Sequence, residues 1–284
     1  MPRDFSDADD EWLDDVEGQP RPKSSEKAPL AGRGQLLPPE DCNGVVAELF
    51  PNQSAVRLDG QAAPKLCGYR MSTLAFQGAN RERSPVCVGD RVRVEAAVIV
   101  GRSQRRNSLS RPAPNARNPL IHVIVANIDV LVVVGSVREP DFTPGIVDRF
   151  LAAAAPQNIP AIVCANKLDL LEPGAARPWK AYASSVVTVI ETCARSGTGI
   201  EKLVSLLTSK TAAFCGNSGV GKTSLLRRLI GDEAYGRVGT VSAAGKGRHT
   251  TTGAVMIPGP EGSIWIDTPG IMNFGVLPPR PDTI

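Results

Sequence analysis

The chain has 284 residues and a mass of 30.0 kDa, 42% hydrophobic and 21% charged, which excludes a wholly disordered polymer and leaves room for one or two domains with real cores. Its 27 glycines and 24 prolines exceed the usual share and ask for many turns. The net charge of +3 hides an asymmetry: residues 1–41 carry 11 acidic and 5 basic residues, the remaining 243 carry 18 and 27, so the body is modestly basic and points weakly to a polyanionic partner.

Residues 1–41 show no hydrophobic periodicity and read as an acidic, disordered, solvated leader. The leader lacks the apolar core of a secretory signal and is too acidic for a transit peptide. No apolar run reaches the roughly 20 residues of a membrane span; Ile121–Val134 is broken by Asn127 and Asp129. A cytoplasmic protein with no membrane partner, and a monomer, is expected. The six cysteines form no CxxC pair and only His122 and His249 can add imidazoles, so a structural zinc site within the chain is not expected. Cys164 and Cys215 sit in apolar runs and read as core thiols.

From Gly44 the pattern turns β-like. GVVAELF, SAVRLDG, KLCGYRM, DRVRVEAAVIV and the stretch to Leu109 predict five short strands, separated by turn residues such as Asp59-Gly60 and Val88-Gly89-Asp90. That spacing predicts a small barrel over 42–113, OB-like or SH3-like, ending at the Pro/Asn/Arg-rich linker Pro112–Asn118. Beyond it strands and helices alternate. IDVLVVVGS, IPAIVCANKLDL, VVTVIETCA, TAAFCG, AVMIPG and GSIWIDTPG predict strands. GIVDRFLAAAA, TGIEKLVSLLTS (with Thr198 as N-cap) and the run after the glycine loop predict helices. The fold class is therefore α/β: a barrel followed, over 114–277, by a mostly parallel sheet with helices on both faces.

Gly216, Asn217, Ser218, Gly219, Val220, Gly221, Lys222 and Thr223 match GxxxxGK[ST] between a strand and a helix, with Ser224 following. The glycines let backbone N–H groups wrap a phosphate, and the helix N-terminus adds its positive end. In such a loop the lysine reaches the β- and γ-phosphates and the threonine hydroxyl ligates Mg²⁺. Asn166-Lys167-Leu168-Asp169 closes a strand where α/β sheets bind ligands. A carboxylate at Asp169 accepts from both the N1–H and the exocyclic amine of guanine, a donor pair that adenine lacks. Thr192-Cys193-Ala194-Arg195 loosely resembles the loop whose backbone N–H meets guanine O6, which makes Ala194 a candidate contact. Asp267-Thr268-Pro269-Gly270 matches DxxG: Asp267 would hold Mg²⁺ through water and the Gly270 N–H would sense the γ-phosphate. In the Gly-rich stretch 245–252, Thr250 or Thr251 is the candidate to close on the metal.

The order of these motifs is unusual. NKxD and the loop at 193 precede the phosphate loop, and DxxG comes last, so the domain is a circular permutation of the common GTPase arrangement. With GNSGVGKTS at 216–224, GKGRHTTT at 245–252, DTPGIMNFG at 267–275, RRNSLSRP at 105–112 and ANIDVLVVV at 126–134, the sequence resembles the RsgA (YjeQ) family of small-ribosomal-subunit biogenesis GTPases over residues 44 to about 277. The resemblance implies an OB barrel, a permuted GTPase domain, GTP hydrolysis with Mg²⁺, and action on the small ribosomal subunit and its rRNA late in maturation. The family usually continues into a zinc-binding helical domain with three Cys and one His. Here 278–284 would be only the start of that region, and no zinc ligands are present in the chain.

Where many GTPases place a water-orienting Gln after DxxG, this chain has Ile271, which cannot hydrogen-bond water. His249 is the expected catalytic substitute, as the resemblance also implies, with slow turnover accelerated by a partner. Residues 81–117 hold nine arginines; of these Arg102, Arg105, Arg106 and Arg111 are the expected rRNA contacts, since Arg forks suit phosphates. Few aromatics accompany them, mainly Tyr69 and Phe76, which favours folded RNA over single strands. Two other readings stay open: a P-loop ATPase or kinase, and a nucleotide-gated RNA-binding module with negligible hydrolysis.

Overall fold

The computed structural model describes residues 36–69, 81–82, 84–112, 120–231, 235 and 253–269, all within one unit, Arg33–Ile284. Five strands close a barrel: β1 (Gly44–Phe50), β2 (Gln53–Leu58), β3 (Lys65–Tyr69), β5 (Arg91–Glu95) and β6 (Val98–Arg102). They follow the ring order β1-β2-β3-β6-β5, with β5 returning to β1. The pair β3–β6 is parallel and the others are antiparallel, a Greek-key ring of the OB-like kind. Val46, Val56, Cys67, Val92, Val94 and Ile99 fill it.

The ring is not composed as the sequence suggested. DRVRVEAAVIV is two strands rather than one. Ala96 and Ala97, both at positive φ (45° and 62°), make a two-residue turn that pairs Glu95 with Val98. Both central residues at positive φ is the type I′ hairpin signature. Leu109 leaves the ring. It lies in β7 (Ser108–Pro112), which pairs antiparallel with β8 (Leu120–Ala126); the short β4 (Arg81–Glu82) completes this second sheet. β8 had no counterpart in the predicted elements, and the predicted boundary at 113 lies outside the described residues.

The α/β part comprises β9 (Val130–Ser136), α1 (Pro144–Ala154), β10 (Ala161–Asn166), β11 (Val187–Glu191), α2 (Ile200–Leu207), β12 (Thr211–Gly216), α3 (Lys222–Ile230), β13 (Val255–Pro258) and β14 (Ile264–Asp267). Strands β11-β10-β9-β12-β14 are parallel, and β13 adds an antiparallel edge. Buried on both faces, β9 reads as an unbroken apolar run. Its alternate residues divide between two cores. Leu131 and Val133 join Phe150 of α1 and Trp179; Val130, Val132 and Val134 join Leu203 and Leu207 of α2, Leu225 and Leu226 of α3, and Trp265.

Two features bind barrel and sheet. β1 bulges between Val46 and Glu48, and beyond the bulge Glu48 pairs with Val255 of β13; a bulge bends a strand, and here one edge of β1 passes from β5 to β13 while the other stays on β2. Gly89 (φ +93°) lies so close to β8 that a Cβ would stand 2.1 Å from the Ala126 carbonyl oxygen. α2 begins one residue later than predicted. Gly199, not Thr198, occupies the cap position, with no side-chain cap bond, and the Thr198 hydroxyl pairs with Ser196 at 2.8 Å instead. All six cysteines are buried and unpaired. No helix among the described residues is long and apolar enough to cross a membrane.

Candidate nucleotide-binding site

At the C-terminal ends of the parallel strands lies a cleft of about 530 Å³, lined by Lys167, Ser218, Gly219, Gly221, Lys222, Thr223, Ser224, Asp267, Thr268 and Pro269. It draws on three of the predicted motifs. The phosphate loop turns where L-residues are excluded. Gly216 (φ +149°) would place a Cβ 2.2 Å from the Val134 carbonyl oxygen, and Gly221 (φ +90°) would place one 2.5 Å from Asn166 Nδ2. The Lys222 ammonium donates to the carbonyls of Gly216 and Asn217, both at 2.9 Å, so its cation is held under the loop. Burial lowers its pKa, an effect that Asp267 opposes. Asn217 and Val220 turn to a small hollow against Ser136 and Pro140.

The NKxD segment is joined to this loop rather than merely near it. The Asn166 Nδ2 donates to the Val220 carbonyl at 3.0 Å, and its Oδ1 accepts from the Thr192 hydroxyl at 3.1 Å. Asn166 and Thr192 are both buried, and each end of the amide is engaged once, leaving one N–H and one lone pair. Lys167, at φ +61°, sends its ammonium to the Glu139 carbonyl and its side chain along the cleft wall. Asp169 is exposed and accepts from the Cys193 thiol at 3.1 Å. The Leu168 N–H donates to the Thr192 carbonyl at 3.1 Å. Ala194 packs against the core on the α2 and α3 side. Leu168, Asp169 and Ala194 do not line the cleft itself. Thr192 and Cys193, which buttress Asn166 and Asp169, gave no sequence signal beyond lying in the loosely matched loop.

Asp267 is 4% exposed. Burial raises its pKa, while a hydrogen bond from Tyr235 and the nearby Lys222 lower it. A nearly buried carboxylate beside the Thr223 hydroxyl in one cleft is a hard-oxygen donor pair. Mg²⁺ suits one or two such protein ligands completed by water and substrate phosphates. Among the described residues there is no group of three or more His, Cys, Asp or Glu that could cage a metal. His249, Thr250, Thr251 and Gly270 lie outside the described residues.

A family model described as RsgA GTPase matches residues 102–277. The chain belongs to the RsgA GTPase family. Among RsgA relatives, the "Small ribosomal subunit biogenesis GTPase RsgA" of Chlorobaculum parvum is 37% identical over 210 residues, covering 69% of this chain and 68% of that one. YjeQ from Thermotoga maritima matches in structure with a TM-score of 0.59 and 27% identity, over 81% of this chain and 74% of that one. YloQ, titled a circularly permuted GTPase, shares the fold at a TM-score of 0.51 and 21% identity, over 88% and 76%. The permuted motif order is thus a property of a known fold, with the barrel ahead of the RsgA GTPase domain.

The four arginines expected at rRNA divide by exposure and pairing. Arg105 is largely withdrawn from solvent, its side chain 9% exposed: it forks onto Asp90 at 2.6 and 2.8 Å and onto both Glu82 oxygens at 3.0 Å. Arg102, 6% exposed, donates to the Pro85 and Ser103 carbonyls at 3.2 Å. Both reach Glu82 of β4, and Arg105 also answers Asp90, which is 1% exposed. Arg106 is exposed and pairs with Asp129 at 2.9 Å. Arg111 lies on β7 opposite His122.

Proposed function

We propose that this protein hydrolyses GTP to GDP and phosphate in the biogenesis of the small ribosomal subunit. Family membership supports the reaction class, and the observation that carries the site is the Asn166–Val220 bond, which locks the base-reading segment to the phosphate loop. In this reading the backbone of 216–221 and Lys222 hold the phosphates. Asp169, steadied by Cys193, reads the guanine edge; the Lys167 stem covers the base; the Ala194 N–H meets O6. Thr223 and Asp267 hold Mg²⁺, Asp267 through water. The metal supplies charge neutralisation on the β- and γ-phosphates. Gly270 and Thr250 or Thr251 respond to the γ-phosphate, and His249 orients the attacking water because Ile271 cannot.

The partner is the small subunit. The exposed arginines, Arg106 foremost, offer rRNA a salt-sensitive contact, with Arg102 and Arg105 supporting the fold beneath. Nucleotide competition tests the base assignment. GTP should displace a fluorescent guanine nucleotide at least about 100-fold better than ATP, since the wrong base leaves the Asp169 carboxylate unmatched. Asp169→Asn should reverse the preference toward xanthine nucleotides, whose 2-oxo group accepts from an amide. Equal displacement by ATP would support an ATPase and overturn the assignment.

A further inference from the structure

Tyr235 belongs to none of the nucleotide motifs, yet its side chain stands between two of them. Its hydroxyl donates to Asp267 Oδ2 at 3.0 Å. The Thr223 side chain lies close to the same phenol. The phenol is therefore bonded to the DxxG aspartate, with the phosphate-loop threonine beside it. The proton order is fixed, because the single phenolic proton is committed to a carboxylate that only accepts.

The ring is anchored independently of any metal. The Tyr235 N–H bonds the Gly231 carbonyl at 3.1 Å. The Arg227 guanidinium, one turn from the end of α3, lies 5.2 Å from the ring centroid, within cation–π range. The ring also packs against the apolar core beneath α3.

We propose that Tyr235 is a positioning residue for magnesium: its hydroxyl holds the Asp267 carboxylate in place beside Thr223, so that the Mg²⁺–nucleotide complex meets an oriented oxygen donor. The proposal rests on the assignment of Thr223 and Asp267 to Mg²⁺ made above. Groups that orient metal-holding side chains typically contribute 10–100-fold to metal affinity.

The test is an equilibrium titration of fluorescent GDP binding, in chelator and then at stepped Mg²⁺. Tyr235→Phe deletes one hydroxyl and keeps the ring on its apolar bed and beside Arg227. It should raise the Mg²⁺ concentration needed for half-maximal tightening about tenfold and leave affinity in chelator within about twofold of wild type. Arg227→Met keeps the hydroxyl and should leave the Mg²⁺ midpoint in place. A Tyr235→Phe midpoint equal to wild type overturns the proposal, as does an equal shift in Arg227→Met, which would mark a packing effect. Wild-type binding that ignores Mg²⁺ altogether would instead overturn the metal assignment itself, a failure readable before any variant is made.

Discussion

Arg105→Met tests whether the arginine-rich stretch is an RNA surface or a structural joint. In the structure the guanidinium compensates two carboxylates. Asp90 is 1% exposed and its remaining partner is the Cys87 N–H at 2.8 Å; Glu82 is partly exposed. Removing one member of a buried pair strands the other charge, at a cost of about 3–5 kcal/mol. For a protein of this size each kcal/mol lowers Tm by roughly 2–4 °C, so thermal denaturation should show a fall on the order of 10 °C. Adding Asp90→Asn removes the stranded charge while its amide oxygen still accepts from Cys87, and should recover most of the loss. Subunit binding, measured at a temperature where the variant is folded, should keep its wild-type salt dependence. A phosphate contact would give the opposite result: Tm within about 2 °C of wild type, and a salt slope smaller by roughly one. That outcome would refute the reasoning.

Two further expectations follow from single contacts. Gly221→Ala forces an L-residue to φ +90° and drives a Cβ to 2.5 Å from Asn166 Nδ2. Left-handed strain alone is about 1–2 kcal/mol, so guanine-nucleotide affinity by fluorescence titration should fall about tenfold or more, and unchanged affinity would contradict the loop–base coupling. Glu191 accepts from Trp179 Nε1 at 2.9 Å and from Arg177 at 2.7 and 2.8 Å. Burial raises its pKa, but these partners outweigh that and hold it below the ordinary 4.5. A depressed carboxylate stabilises the fold fully above its unfolded pKa and less as pH falls through its folded value. The Tm gap between wild type and Glu191→Gln should therefore be constant from pH 6 to 8 and narrow below about pH 4.5; a gap that widens in acid would contradict the sign.

What the sequence made legible follows local rules. The phosphate loop requires glycine where φ is positive and the backbone is crowded, and Gly216 and Gly221 meet both conditions. The parallel strands are apolar runs because helices cover both faces. Elsewhere the signal failed for stated reasons. Ala96-Ala97 makes a hairpin turn without the Asn-Gly or Gly that usually marks one, so β5 and β6 read as one strand. β8 merged into the apolar run that continues into β9, although Asn127 at φ +58° marks the break. Arg102 and Arg105 looked like surface charge because their counter-ions come from elsewhere in the chain, Glu82 from β4 and Asp90 from the turn before β5. Tyr235 had no motif to announce it; only the fold brings it to Asp267.

Single-turnover GTP hydrolysis, measured with and without purified small ribosomal subunits, tests the central claim most directly. The account predicts slow turnover alone, acceleration by small but not large subunits, loss of that acceleration in His249→Ala with GTP binding retained, and no turnover in Lys222→Ala. Hydrolysis that small subunits leave unchanged would contradict it.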